Sequence, residues 1–331
     1  MNVNRLYVVG GKQRARTINV DEWNQYEQAV AVAVDVESGS IIQTCEYVTP
    51  EQFRPDTPNP SILFKSSSLK NSKLYACTQT EIVIYSLPDM QIENHISLPC
   101  FNDVHHVVPT IRNTLLVAVT GLDLVLELSG NGEILQEWSA ISENTWDRFS
   151  RDVDYRKVET TKPHLSHPNF VFQVGDDVWV TRFEQKDAVC LTSPEKRIDI
   201  GVERPHDGYV FDDKVYFTTV DSHVVVASLT TLEVVQVIDL RELTNTDLVM
   251  GWCRGLQVID NEHIIVGFSR IRPTKLHANL LWLKGQIGER QYAEYQPTHV
   301  AMYNISTGKL CWEIDLEEYG LNSVFSVHAV E

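Results

Sequence analysis

Six times along the chain a β-rich run reaches a short polar turn and a second run follows. The runs and turns are Val30 to Val36 with Glu37-Ser38-Gly39, Glu81 to Ser86 with Leu87-Pro88-Asp89, and Leu122 to Leu128 with Ser129-Gly130-Asn131-Gly132. Asp187 to Leu191 with Thr192-Ser193-Pro194, His223 to Leu229 with Thr230-Thr231, and His299 to Asn304 with Ser306-Thr307-Gly308 complete the set. Alternating apolar residues broken by Gly, Pro, Asn and Asp are hairpin signals, and helical periodicity is nearly absent. A hydrophobic strand precedes most of these runs, so the repeat is a pair of hairpins recurring about every 50 residues. That count predicts one all-β domain over 1–331, a six-bladed β-propeller with four strands per blade. A seven-bladed ring or a pair of β-sandwiches fits the count less well. The ends favour closure: Arg5 to Val9 lacks a preceding partner strand and Val324 to Val330 a following one. Pairing them would complete a blade and remove two exposed sheet edges.

Four strand starts look alike: His106 to Ile111, His167 to Phe172, His206 to Phe211 and Arg254 to Ile259. Each leads through a polar turn into a hydrophobic strand. In a propeller the innermost strand of each blade lines the central channel, so equivalent positions face one axis. Counting back from the turn Asn71-Ser72 adds Lys65 in blade two, while blade one has Phe325 and His328 nearby but no clear equivalent. The expected ring therefore reads Lys65, His106, His167, His206 and Arg254. A slip of one residue would replace His106 by His105, and His164 competes with His167.

Three converging imidazoles suit zinc or iron, because they supply neutral nitrogen ligands at ~2.0–2.1 Å and leave a position open for water or substrate. An adjacent Arg254 suits a carboxylate, sulfate or phosphate, and Lys65 adds positive charge. The leading expectation is a small-molecule-modifying enzyme of lyase or hydrolase type, with a metal held by His106, His167 and His206. A second needs no metal: His206 as acid, base or nucleophile beside Arg254, transferring an anionic group. A third is a non-catalytic propeller that binds a ligand or protein, since histidines at strand starts also tie blades together. Asp103, Glu203 and Asp207 flank the histidines and would either orient an imidazole or cap a turn. Arg182, Arg270 and Arg272 follow inner strands and would reach the mouth or form interblade ion pairs.

Pro205-His206, Arg254-Gly255-Leu256, Val266-Gly267-Phe268-Ser269-Arg270-Ile271-Arg272 and Thr181-Arg182-Phe183 resemble an uncharacterised bacterial family of six-bladed propellers. The resemblance spans about residues 160–275 and implies the fold and these strand starts, without an activity. More loosely, three histidines with an arginine are similar to the NHL-type peptidyl-hydroxyglycine lyase propellers, which hold zinc and use a tyrosine. Tyr209 or Tyr216 would take that role here. In residue types alone the set also resembles arylsulfate sulfotransferase propellers.

Lys+Arg 28 against Asp+Glu 45 gives a net charge of −17, which argues against general nucleic-acid binding and against an anionic membrane surface. No segment approaches the ~18 apolar residues of a membrane span, and the amino terminus lacks a secretory apolar core. The six cysteines have no C-x-x-C spacing and most lie in strand-like surroundings, so buried free thiols and a cytoplasmic location are expected. Two insertions interrupt the rhythm, at about 139–166 and 271–298, the second carrying a helix candidate from Lys275 to Leu283. Both are candidate lids or binding surfaces, or else plain surface loops or dimer contacts.

Overall fold

The computed structural model describes residues 3–15, 22–246, 248–271 and 295–330. Six four-stranded antiparallel sheets form a six-bladed propeller, each blade a meander running outward from the channel. The inner strands are Ser323–Val330 in blade one, Ser67–Lys70 in blade two, Val104–Pro109 in blade three, Pro168–Val174 in blade four, Pro205–Phe211 in blade five and Trp252–Val258 in blade six. Each touches the next all the way round, blade six meeting blade one. Closure is as the termini suggested. Arg5–Gln13 pairs antiparallel with Ser323–Val330, with Leu6 opposite Ala329 and Val8 opposite Val327.

No backbone ladder joins one blade to another among the described residues, so side-chain packing holds the ring together. Six apolar clusters do this, one between each pair of neighbouring blades. Between blades three and four, for example, Leu116, Ala118 and Val125 meet Val171, Val178 and Val180. Burying one such Val or Leu contributes about 1.5–3 kcal/mol, which explains why the middle strands are nearly continuous apolar runs. The outermost strands alternate instead, with Ile42, Ile92 and Val235 on the solvent side. All six cysteines are free thiols, and Cys77, Cys190 and Cys253 are buried. No helix among the described residues is long and apolar enough to cross a membrane.

The insertion at 139–166 carries a short helix, Thr145–Arg148, and a 3-10 turn, Tyr155–Lys157. Its last residues fold over one channel mouth. The helix candidate from Lys275 to Leu283, and Arg272, lie outside the described residues. Arg182 pairs with the buried Asp187, and Arg270 bonds Glu317 and Gln13.

Candidate functional site

The inner strands are not regular where they enter the channel. Pairing with the second strand slips at Phe325 in blade one, at His105 in blade three, between Pro168 and Val171 in blade four, between Pro205 and Gly208 in blade five, and at Gly255 in blade six. In blade two Lys65 N–H reaches Cys77 O, one residue beyond regular register. A β-bulge re-aims side chains, and here it sends consecutive residues to opposite ends of the channel. Phe325, Lys65, His105, His206 and Arg254 line one mouth, a cavity of about 360 Å³. Their successors Ser326, His106, Asp207 and Gly255 line the other, a cavity of about 410 Å³.

The first five residues share a simple relation. Each stands five positions before the last residue bonded across to the second strand at the turn or closing pair: Val330, Lys70, Thr110, Phe211 and Ile259. Blade four holds Asn169 at that position, and Asn169 bonds Pro205 O of the next blade at 3.2 Å. His167, two residues earlier, fills the blade-four sector of the mouth instead.

The structure therefore places Lys65, His167, His206 and Arg254 around one cavity and does not bring His106 to it. His106 points to the opposite mouth, with Nδ1 3.0 Å from Val171 O and Nε2 3.2 Å from Ser68 Oγ. The expected trio of His106, His167 and His206 is thus not assembled. The bulge is the reason: it exchanges the directions of His105 and His106. His105 faces the mouth instead, its ring 5.2 Å from His167 and 5.5 Å from His206.

The nearest to a metal-ligating set among the described residues is Asp103, His164 and His167, whose donor atoms lie within 4.8 Å of one another. His164 and His167 approach Nδ1 to Nδ1 at 2.7 Å. Asp123 positions this pair. Its fully buried carboxylate accepts the N–H groups of Leu165, Ser166 and His167 at 2.8–2.9 Å and is also bonded by Arg148. Burial opposes that charge, but Arg148 and the three amides hold Asp123 below its ordinary range.

Lys65 forms an ion pair with Asp103, and both are nearly buried. Burial alone would raise Asp103, yet Lys65 and then His105 keep its carboxyl well below the carboxylate range. Burial pushes His105 and His167 well below the usual imidazole range, so they stand neutral. His206 is pushed down to about 4 by burial and by Arg254.

His206 is the best-oriented base. Its Nδ1 meets Asp207 Oδ2 at 2.8 Å, and Asp207 also accepts Gly255 N–H at 3.0 Å and a bond from Ser66 Oγ. With Nδ1–H held by the carboxylate, the lone pair sits on Nε2. His206 also packs edge-on against Phe325, which carries the Arg254 guanidinium over its ring face at 4.2 Å. The Arg-Gly-Leu strand start has its physical reason here: Gly255 adopts φ +61°, and a Cβ would come within 3.0 Å of Ser326. Gly255→Ala is expected to cost about 2 kcal/mol through left-handed strain and crowding, read as a lowered Tm.

Sequence reasoning left Asp103 and Asp207 as flanking residues and gave no part to Lys162 or Trp252, which also line the mouth. Lys162 stands over the Trp23 ring at 4.4 Å. A count back from each hairpin, rather than a match of strand-start motifs, would have selected His105 and Phe325.

No protein-family model and no curated protein matches the chain. Solved structures do. A protein of unknown function from Bacteroides caccae superposes with a TM-score of 0.63 at 12% identity, covering 99% of each chain. A virginiamycin B lyase from Staphylococcus aureus, solved with quinupristin, gives 0.47 at 12% identity over 72% of this chain and 70% of its own. A streptogramin B lyase gives 0.49 at 10% identity over 94% and 88%. At these identities the likeness is one of fold, and over its whole length the chain is similar to the uncharacterised Bacteroides protein.

Proposed function

We propose that the chain is an enzyme that modifies a small anionic molecule in the Lys65–Arg254 mouth, with His206 Nε2 as the proton-transferring group. One observation carries this reading: a buried carboxylate–imidazole pair, Asp207–His206, opens beside a guanidinium in a cavity of about 360 Å³. In a chain of net charge −17 this mouth gathers Lys65, Lys162 and Arg254 against Asp103 and Glu184. Arg254 would hold a carboxylate, sulfate or phosphate, and His206 would take a proton from an adjacent carbon or from water, in lyase or hydrolase chemistry. Because His206 is neutral down to about pH 4, it is in its base form at neutral pH.

The close approach of His164 and His167 beside Asp103 favours a second element, a divalent ion such as zinc or iron. Bound there, the ion would polarise a substrate oxygen. This chain's own residues would fix its ligands, since Asp123 clamps the loop that presents both imidazoles.

Two measurements test the reading. Thermal shift with phosphate, sulfate and benzoate should show stabilisation by at least one anion. A ligand at 100 times its Kd adds about 2.7 kcal/mol. That gain should vanish in Arg254→Gln and persist in the control Arg112→Gln, a rim residue of the opposite face. Equal shifts in both variants would refute the anion site. Elemental analysis should find stoichiometric metal that is lost in His167→Ala and kept in His106→Ala. Loss in His106→Ala alone would remove the Asp103–His164–His167 assignment.

A further inference from the structure

Three consecutive serines at the start of the blade-two inner strand each take a different buried partner. Ser66 Oγ bonds Asp207, Ser67 Oγ meets His328 Nε2 at 2.8 Å, and Ser68 Oγ meets His106 Nε2 at 3.2 Å. The last two pairs belong to the mouth opposite the Lys65–Arg254 cavity. They differ in access. Ser67 is 5% exposed, whereas Ser68 is half-buried and opens onto the cavity.

We propose that this second mouth is an acyl-transfer site, with Ser68 Oγ as nucleophile, His106 as its base, and small aryl esters as the substrate class. His106 Nδ1 lies 3.0 Å from Val171 O and 3.3 Å from Val171 N; in the tautomer with its proton on Nδ1, it donates to the carbonyl and turns the Nε2 lone pair to Ser68. This is the nucleophile, base and orienting-group arrangement of hydroxyl catalysis, with a main-chain carbonyl as the third member. Burial pushes the imidazole down to about 4, so it stands neutral at about pH 7 and able to accept a proton, as a weaker base than an exposed histidine.

The walls indicate the substrate class. Phe170 and Phe172 stack at 5.2 Å along one side, and the His106 ring lies 5.0 Å from Phe170. Tyr209, whose hydroxyl accepts from Gln257 Nε2 at 2.9 Å, stands on the neighbouring blade. Phe170, Phe172 and Tyr209 make this side of the cavity aromatic, which suits an aryl group better than a polar chain. Lys70, two residues beyond Ser68 on the same strand face, brings a cation to the rim, where its Nζ rests 2.7 Å from Thr110 O. It is the cation among the described residues lining this mouth and would serve a developing oxyanion.

The chemistry balances without a cofactor. Ser68 Oγ bonds to the acyl carbon as its proton passes to His106 Nε2, and the aryl–oxygen group leaves with that proton. Water then attacks the acyl-serine, giving its proton through His106 back to Ser68, so ester and water become acid and phenol.

A fluorophosphonate probe on the full chain, mapped by peptide mass spectrometry, tests this. One label is expected, on Ser68. It should be absent in Ser68→Ala, retained in Ser67→Ala, and formed about 100-fold more slowly in His106→Ala. Should His106→Ala melt early, His106→Gln carries the same expectation with the ring's volume largely kept. Phenyl acetate hydrolysis should fall in the same order. A label on Ser67, no label on natively melting protein, or unchanged labelling in a folded His106 variant would overturn the proposal.

Discussion

Acidification from about pH 7 to about pH 4.5 is expected to unfold the chain, and histidines rather than carboxylates are the cause. His106, His206 and His328 are buried, and burial first of all pushes each down to about 4. In the unfolded chain they return to about 6.5. Between those two values the unfolded state binds more protons than the folded state. Stability is therefore complete above about pH 6.5 and is lost as the pH falls through about 4. A gap of roughly two and a half units is about 3 kcal/mol for each residue. Three such residues amount to something on the order of 10 kcal/mol, which rivals a typical domain stability of about 5–15 kcal/mol. Asp103, Asp123 and Asp207 are held below the ordinary carboxylate range, so what they contribute is lost only at lower pH. Urea unfolding at successive pH values should show a slope of at least three protons in this window, because burial also lowers His105 and His167. His328→Gln should reduce that slope by about one proton. A constant unfolding free energy from about pH 7 to about pH 5 would show that these imidazoles are charged in the fold.

The ring was legible in the sequence because propeller blades are local objects. Each hairpin needs only a turn and two alternating strands, and Asn71-Ser72, Gly175-Asp176 and Asp212-Asp213 all stand at inner turns in the structure. The terminal strands could be matched for the same reason, since each lacked a partner. The mouth was legible only in part. Lys65, His206 and Arg254 keep a constant distance from their turns, so counting finds them. His105 was hidden by its neighbour: a bulge is a one-residue irregularity that a match of similar segments absorbs silently. His167 entered the ring for a reason that motif matching does not contain. Blade four offers Asn169 at the shared position, and the chain supplies imidazoles from the segment just before, pinned by Asp123 some forty residues upstream. That pinning depends on the left-handed turns at Asp123 and His167, with φ 51° and 55°. Neither residue is a glycine, so the sequence carries only the weak left-handed preference of Asp and His.

Asp207→Ala is expected to destabilise the fold by about 3–5 kcal/mol, the largest effect of any single substitution at the channel. Asp207 sits where the two mouths meet. It receives Ser66 Oγ from blade two, diametrically across a six-membered ring, together with Gly255 N–H from blade six and its own neighbour His206. Its amide is also bonded to Thr218 Oγ1 at 3.1 Å. The substitution orphans three buried donors at once, and each unmade buried bond costs about 1–3 kcal/mol. Asp207→Asn separates charge from shape. The amide keeps an acceptor for one of the three donors, so the loss should be smaller, about 1–3 kcal/mol. Without a carboxylate on Nδ1, however, His206 loses the partner that selects its tautomer. Urea unfolding at about pH 8 measures the first effect, where the imidazoles are neutral in both states. Nitrogen NMR shifts of the His206 ring measure the second, with Nδ1–H dominant in the native chain and a mixed population in Asp207→Asn. An Asp207→Ala protein within about 1 kcal/mol of the native chain would mean that Asp207 does not tie the blades together. An unchanged ring tautomer in Asp207→Asn would mean that it does not prepare His206 as a base.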